Sequence, residues 1–315
     1  MKFGNNVILM VVIAIAIYAV FLFISDYQKL SEEITNFQIE YLVPILSLVT
    51  ISWIPLIVKW HLLLKKNGIN IPFRKNILIW LSGSALNATP GQLGGLIKSQ
   101  LIKTLYDIPR TKTAPIVLLE KFYGLTGAII AGIIGIIILG MDFNLVLFSI
   151  AILSVIFFLI YYRPVFQYGL KRITKFKFFS KYSDNITDSY EILRNSTGPG
   201  IASICIVLAI SYWILVSLAV YLTLLAFGIE GTSFLKTISI YTSSVVIGVI
   251  SFIPGGLGIT EGSLVGLFTL EGIDVSLALI LSIIIRLVTL WYSVSIGFIG
   301  LKLSGGLSLS KNFKD

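Results

Sequence analysis

Five charged side chains interrupt stretches of this sequence that are otherwise apolar. They are Lys98, Glu120, Lys121, Glu261 and Arg286. A charged group at the centre of a membrane-spanning helix costs at least ~2.5–3.5 kcal/mol, so each of these residues needs a physical reason to be there. Arg286 is the clearest case, because only apolar and small polar residues surround it between positions 280 and 293. Its guanidinium could grip a phosphate or a carboxylate with two parallel hydrogen bonds.

Two interpretations of these charges are open from the sequence. In the functional one, Lys98 and Lys121 add positive charge to an anion site at Arg286. Glu120 and Glu261 then hold the guanidinium in place or take up a proton. In the structural one, Arg286 forms a buried ion pair with Glu120 or Glu261 that only fixes helix packing. Buried pairs stabilise poorly compared with apolar packing, which favours the functional interpretation.

The pattern Pro-Gly-x-Leu-Gly occurs twice, and each copy breaks an apolar stretch. Pro and Gly break helices, and a broken helix survives in hydrocarbon only where it lines a cavity or lies inside the protein. Helices that start after the two prolines would point backbone N–H groups at the bilayer midplane, where their partial positive charge favours anions. The sequence therefore predicts a substrate site at the two breaks. Its members there are Pro90, Gly91, Gly94, Pro254, Gly255, Gly256 and Gly258.

Two polar residues precede the first break. Asn87 and Thr89 either cap the helix that follows Pro90 or line the site. Asn87 is included among the predicted substrate-binding residues.

The composition is typical of an integral membrane protein. Of the 315 residues, 56% are hydrophobic and 12% are charged, whereas soluble domains are about a quarter charged. The net charge of +9 fits a positive-inside bias and attraction to anionic lipids, and nucleic acid is not expected as a partner. The single cysteine, Cys205, excludes an intramolecular disulfide, and the single histidine, His61, argues against a His-rich metal site. We expect no metal and no cofactor.

The apolar runs and the charges between them predict a topology. Connections rich in Lys and Arg are assigned to the cytoplasmic side, as are both termini. The run 7–25 is taken as a retained first span rather than a cleaved signal peptide. The broken runs 77–102 and 237–270 must then each begin and end on one side of the membrane, so each is a hairpin folded at its Pro-Gly. The remaining runs are 41–64, 114–140, 143–162, 200–228 and 275–301.

The runs also form an internal repeat. Unit one, 41–140, contains a span, a hairpin and a span, and unit two, 200–301, repeats this order with opposite orientation in the membrane. The basic segment 163–199 is predicted to be a cytoplasmic linker. The predicted fold is a single transmembrane domain over 1–315, all-α and polytopic, with about six full spans and two re-entrant hairpins. For 237–270 a full double crossing of the membrane stays open, because its limbs have about 16 residues each.

Enzyme signatures are missing from the sequence. It contains no Walker loop, no His-Glu-x-x-His, no Gly-x-Ser-x-Gly and no aspartate-rich diphosphate motif. The prediction is that the protein is not an enzyme.

The residues singled out above resemble the lysylphosphatidylglycerol synthase transmembrane (flippase-like) family, which includes the membrane half of the multiple peptide resistance factor. The resemblance rests on segments 87–98, 119–121 and 254–261 together with Arg286. It implies a helical membrane domain, without the synthase domain, that moves lipids with polar headgroups between the leaflets of the cell membrane.

Four departures from the family pattern bear on the substrate. The family usually has an acidic residue at position 95 and often Asp at position 124, where this chain has Gly95 and Gly124. It also usually has Arg where this chain has Lys98 and Lys121. A cationic lysyl-lipid would favour acidic groups, so their loss suggests an anionic headgroup such as a polyprenyl phosphate or a glycolipid. Gly95→Glu should then change headgroup preference.

The leading hypothesis is therefore a lipid flippase or scramblase whose partners are membrane lipids. Whether the protein assembles as a homo-oligomer is left open by the sequence. One alternative is a secondary transporter of a soluble anion coupled to H⁺ or Na⁺, which needs a sealed aqueous chamber rather than a lateral opening. The other is a non-transporting scaffold for a membrane enzyme that modifies lipids or glycans.

Overall fold

The computed structural model describes residues 35–89, 94–138 and 191–305. These ranges contain nine α-helices and no strand. We label them α1 (Leu42–Lys66), α2 (Phe73–Ser84), α3 (Ile97–Tyr106), α4 (Arg110–Ile138), α5 (Pro199–Ala226), α6 (Phe234–Ile250), α7 (Ile259–Leu270), α8 (Val275–Arg286) and α9 (Tyr292–Leu303). A π-helical segment, Leu287–Trp291, joins α8 to α9. The predicted spans 7–25 and 143–162, and most of the linker, lie outside the described residues.

Four helical stretches are long and apolar enough to cross a membrane. They are Ile39–Lys66, Arg110–Ile133, Pro199–Ala226 and Val275–Leu303. Each corresponds to a span predicted from the sequence. Large apolar side chains such as Val43 and Ile299 lie exposed on these helices, as expected where the surrounding solvent is lipid. The prediction of an all-α polytopic membrane protein is confirmed, while the number of spans in the whole chain stays a prediction.

The two broken runs form pairs of shorter helices. In the first pair α2 has 12 residues and α3 has 10, which is ~18 Å and ~15 Å at 1.5 Å per residue. In the second, α6 has 17 residues and α7 has 12, or ~26 Å and ~18 Å. All four are shorter than the ~30 Å hydrocarbon core. Lys236 near the start of α6 forms an ion pair of 2.6 Å with Glu271, which directly follows α7. This pair joins the two helices at the ends away from their turn.

Corresponding helices end in the same way. After α1 the chain runs through Gly68 to Ile69, and after α5 it runs through Gly228 to Ile229. Both glycines have positive φ, and both isoleucine amides donate to a helix carbonyl at 3.0 Å. This arrangement satisfies carbonyls at the helix end, and it favours glycine because that residue adopts positive φ without strain.

Each hairpin packs against the last span of the other sequence unit. α2 lies along α9 and α6 lies along α4, while the first spans α1 and α5 pack together. Glycines allow the close approach: a Cβ at Gly297 of α9 would lie 2.2 Å from the backbone nitrogen of Ala85. At the other crossing, Ser239 of α6 donates to the carbonyl of Gly132 on α4. Small residues are typical of such membrane-helix contacts.

Candidate functional site

A cavity of about 170 Å³ lies between the two hairpins and the four long helices. Among the residues that line it are five of those predicted from the sequence: Asn87, Lys98, Glu120, Lys121 and Arg286. Its walls also carry the aromatic residues Trp53, Trp80, Tyr212, Trp213 and Tyr241. The structure therefore gathers charges from both sequence units around one space.

The first buried ion pair joins Lys98 of α3 to Glu120 of α4. Both side chains are almost completely buried, and the second oxygen of the Glu120 carboxylate accepts a hydrogen bond of 3.0 Å from the indole nitrogen of Trp80. The Lys98 ammonium also lies 4.2 Å from the ring centroid of Trp60, a favourable cation–π distance. Glu120 is thus held by both limbs of the first hairpin.

The second buried ion pair joins Arg286 at the end of α8 to Glu261 in the first turn of α7. The Nε–Oε1 distance is 2.9 Å, and the guanidinium also donates to the backbone carbonyl of Gly255. The other carboxylate oxygen of Glu261 accepts from the backbone N–H of Gly258 at 2.8 Å. Arg286 is followed at once by the π-helical segment, a distortion that is frequent at functional sites.

The two pairs have opposite polarity. In the first unit the hairpin carries the cation and the following span carries the carboxylate, whereas in the second unit the hairpin carries Glu261 and the span carries Arg286. Of the two partners that the sequence left open for Arg286, the structure selects Glu261. The carboxylate on α7 thereby occupies the helix N-terminus at which the sequence predicted an anionic ligand.

The polar residues before the first break have different positions. Asn87 lines the cavity and accepts a hydrogen bond from the Lys121 ammonium at 3.3 Å. The Thr89 hydroxyl instead accepts a hydrogen bond of 2.6 Å from the backbone N–H of Gly94. It therefore stabilises the turn between α2 and α3. Gly94 lies against Leu86, where a Cβ would come within 2.3 Å of the leucine side chain. Pro90 and Gly91 lie outside the described residues.

The turns of the two hairpins meet beside the cavity. A Cβ at Gly255 would lie 3.4 Å from the Cα of Ala88 in the first turn. Pro254 begins the second turn, whose Gly255, Gly256 and Gly258 all have positive φ. These glycines shape the turn, and their backbone holds Arg286 and Glu261.

Sequence reasoning missed Lys59. This lysine lies in α1, is only 1% exposed and lines the cavity, where its ammonium donates to the backbone carbonyl of Glu120 at 3.2 Å. The signal was present, because Lys59 is a charge inside the apolar run 41–64, the same feature that singled out Arg286.

A comparison with known protein families extends over nearly the whole chain. Residues 11–297 match the family described as "Lysylphosphatidylglycerol synthase TM region". The chain belongs to this family. The resemblance stated from the Pro-Gly segments and Arg286 is therefore confirmed.

Two curated relatives of this family member are both described as "UPF0104 membrane protein" and come from Methanothermobacter thermautotrophicus. One is 34% identical over 93 residues, which is 30% of this chain and 28% of the relative. The other is 29% identical over 103 residues, which is 33% of this chain and 30% of the relative. The chain spans less than a third of the length of either relative, and their printed description says only that they are membrane proteins.

Gly95 and Gly124, which replace acidic residues of the family pattern, each lie near a lysine. A Cβ at Gly95 would lie 3.9 Å from the ammonium of Lys121, and a Cβ at Gly124 would lie 3.9 Å from that of Lys59. An acidic residue at position 124 would thus stand beside the buried Lys59, and one at position 95 beside the partly buried Lys121.

Proposed function

We propose that this protein moves lipids with polar headgroups between membrane leaflets, with the cavity as the headgroup site. The observation that carries the proposal is a cavity lined by charged side chains inside a molecule whose long helices expose apolar residues. A headgroup needs polar surroundings on its path while its acyl chains stay in hydrocarbon. Polar residues inside membrane segments typically mark such substrate paths.

We further propose that the two units form an inverted-topology repeat with re-entrant hairpins. Three features support this. α1 and α5 end in the same way, and each unit contains one buried ion pair. In addition, α2 of unit one packs on α9 of unit two, while α6 of unit two packs on α4 of unit one. In transporters built this way, broken helices meet at a site near the bilayer midplane. The protein would reside in the cell membrane with its basic connections in the cytoplasm.

We propose transport rather than catalysis. The cavity carboxylate Glu120 is held in an ion pair with Lys98, and the cavity cation Arg286 is held by Glu261 behind the wall, so the charged groups of the cavity are positioned for binding a charged group. The partners in this proposal are membrane lipids, and no cofactor is invoked.

The test is reconstitution of the purified protein into vesicles that contain lipids with a fluorescent acyl chain. A membrane-impermeant reductant then destroys the fluorescence of the outer leaflet only. We expect vesicles with the protein to lose inner-leaflet fluorescence as well, and protein-free vesicles to retain it. The reductant must be shown not to enter the vesicles.

Two lysine variants make a matched pair for this assay. Lys98→Met removes a cation that lines the cavity, and Lys236→Met removes a lysine that is also ion-paired but lies at the end of α6, away from the cavity. We expect the first to lose lipid movement and the second to retain it. Full retention of inner-leaflet fluorescence with the folded wild type would refute lipid movement and favour the soluble-anion transporter or the scaffold.

A further inference from the structure

We propose that Lys59, together with Lys98, forms a binding site for a phosphate-monoester group in the part of the cavity next to Glu120. As a statement about a lipid headgroup, this rests on the function proposed above. The binding of the phosphate group does not depend on lipid movement. The site differs from the Arg286 anion site expected from the sequence, because it is built on Lys59 of α1 and Lys98 of α3.

The position of Lys59 is the first argument. Its side chain is buried in α1 at a depth from which it reaches Glu120 on α4, and it lines the cavity. Its one hydrogen bond goes to a backbone carbonyl. A lysine ammonium has three donors, so two remain for a ligand.

The charge around Lys59 is the second argument. The nearest carboxylate, Glu120, is already paired with Lys98 and hydrogen-bonded by Trp80. Within residues 35–89, 94–138 and 191–305, Lys59 forms no ion pair of its own. A buried ammonium without a counter-charge is costly, and proteins keep such groups where they serve a ligand or a conduction path. An anion at this place would supply the missing charge.

The space beside Lys59 is the third argument. Gly124 on α4 faces the ammonium, and even a Cβ there would stay 3.9 Å from it. The carbonyl of Gly124 accepts a 2.8 Å hydrogen bond from the indole of Trp213, which fixes this part of the wall. The cavity volume of about 170 Å³ equals roughly five to six water molecules at ~30 Å³ each, enough for a phosphate group.

The chemistry of the donors selects the ligand class. Lys59 and Lys98 approach the same residue, one at its carbonyl and one at its carboxylate, and both line the cavity. A group in the cavity beside Glu120 therefore meets two point-like cations. A phosphate monoester carries up to two charges and three terminal oxygens and can accept from both. A zwitterionic choline headgroup would bring a quaternary ammonium towards the same cations and is disfavoured.

The experiment measures binding by thermal shift of the full chain in neutral detergent. The probes are short-chain phosphatidic acid, phosphatidylcholine with the same acyl chains, and inorganic phosphate. The variants are Gly124→Asp, which places a carboxylate beside Lys59, and Gly124→Asn, which adds the same volume without charge. Lys59→Met is the direct variant, and the position-124 pair keeps the test valid if that protein does not fold.

We expect phosphatidic acid to stabilise the wild type and Gly124→Asn, and phosphatidylcholine to have no effect. Gly124→Asp and Lys59→Met should weaken the affinity for phosphatidic acid by about 10- to 100-fold, the loss of one charge-assisted contact. If inorganic phosphate stabilises the protein as well as phosphatidic acid does, the site takes a free anion. If only the lipid does, the site takes a headgroup.

Equal binding of phosphatidic acid and phosphatidylcholine, or equal affinity in Gly124→Asp and Gly124→Asn, would overturn the site. This result is separate from the vesicle assay. If phosphatidic acid binds through Lys59 but the vesicle assay shows no lipid movement, the binding site is supported and the proposed function is refuted. Movement of both lipids alike, with no effect of Gly124→Asp, supports the function and refutes the site.

Discussion

At the scale of single residues, the energetics of the two buried ion pairs decide what a substitution does. Arg286 and Glu261 are both at most 5% exposed. Breaking such a pair leaves one charge unpaired in a medium of low dielectric, which costs more than losing both charges together. The carbonyl of Gly255 and the amide of Gly258 add hydrogen bonds to the pair, so its geometry is fixed by the second turn.

We predict that Glu261→Gln lowers the thermal midpoint of the protein in detergent more than the double variant Glu261→Gln with Arg286→Gln does. The single change should cost about 3–5 kcal/mol, because it leaves the guanidinium without its carboxylate. Glu271→Gln serves as the control, since its pair with Lys236 is partly exposed and should be worth at most about 1 kcal/mol. A double variant less stable than the single would contradict this prediction, because it would show that an unpaired guanidinium costs less than the loss of both side-chain charges.

The sequence predicted the residues of the site better than their partners. Lys98, Glu120 and Arg286 stood out because a charge in an apolar run needs a reason. Which carboxylate Arg286 contacts depends on how α7 and α8 pack, and the spacing along the chain allowed two answers. The sequence alone does not place Lys59 in the cavity, because a lysine stem can carry its ammonium to the membrane surface. The packing of α1 on α4 and α5 directs it inward.

At the scale of helices, the close crossings depend on residues without a side chain. At Gly297 of α9 a Cβ would lie 2.2 Å from the backbone nitrogen of Ala85 and 2.7 Å from its Cα. Backbone atoms of a packed helix cannot move aside cheaply, so α2 and α9 would have to separate.

We predict that Gly297→Ala lowers the thermal midpoint, whereas Gly266→Ala leaves it unchanged or raises it. Gly266 lies in α7, and a Cβ there meets nothing within 4 Å. Because alanine is about 1 kcal/mol more favourable than glycine in a helix interior, the second change should be neutral or stabilising. Thermal unfolding of the two variants side by side measures the difference, and equal midpoints would mean that α2 and α9 are not in tight contact.

The turn of the second hairpin allows a test that separates stability from function. Gly255 and Gly228 both have positive φ, so alanine at either position is strained by about 1–2 kcal/mol. Of the two, Gly255 lies where the two hairpin turns meet, and its carbonyl accepts a hydrogen bond from the Arg286 guanidinium. We therefore expect Gly255→Ala and Gly228→Ala to lose similar stability, while only Gly255→Ala slows lipid movement in vesicles. Equal rates in both variants would remove the turn from the mechanism.

The helices themselves were largely predictable, and their pairing was not. The long helices begin and end within a few residues of the apolar runs, because a run of about 20 apolar residues needs a helix in lipid. The hairpin limbs were harder, since α2 and α6 begin before the apolar runs and α3 ends beyond its run, each with polar residues in the added turn. That α2 packs on α9 and α6 on α4 follows from shape matching at Gly297 and Gly132, which are far from their partners in sequence.

At the scale of the whole molecule, the two sequence units are held together by contacts between the hairpin of one and the last span of the other. The first limb of each hairpin packs on the other unit, α2 on α9 and α6 on α4, while the second limbs, α3 and α7, pack on α4 and α8 of their own unit. The cavity lies between these exchanged contacts and takes charged residues from both units. In the proposed function, opening the cavity to one leaflet would shift both hairpins together, as in transporters that rock one repeat against the other.

The inverted topology behind this picture can be tested with single cysteines. Cys205 is the one cysteine of the sequence and is buried, so Cys205→Ser gives a silent background. Lys66→Cys and Lys103→Cys flank the first hairpin, and Gly231→Cys and Val275→Cys flank the second, all four at exposed positions. An impermeant maleimide should label the first two from the cytoplasmic side and the last two from the opposite side, because each hairpin begins and ends on one side. Labelling of the two positions around one hairpin from opposite sides would mean that the broken run crosses the membrane once, and the repeat would then not be inverted.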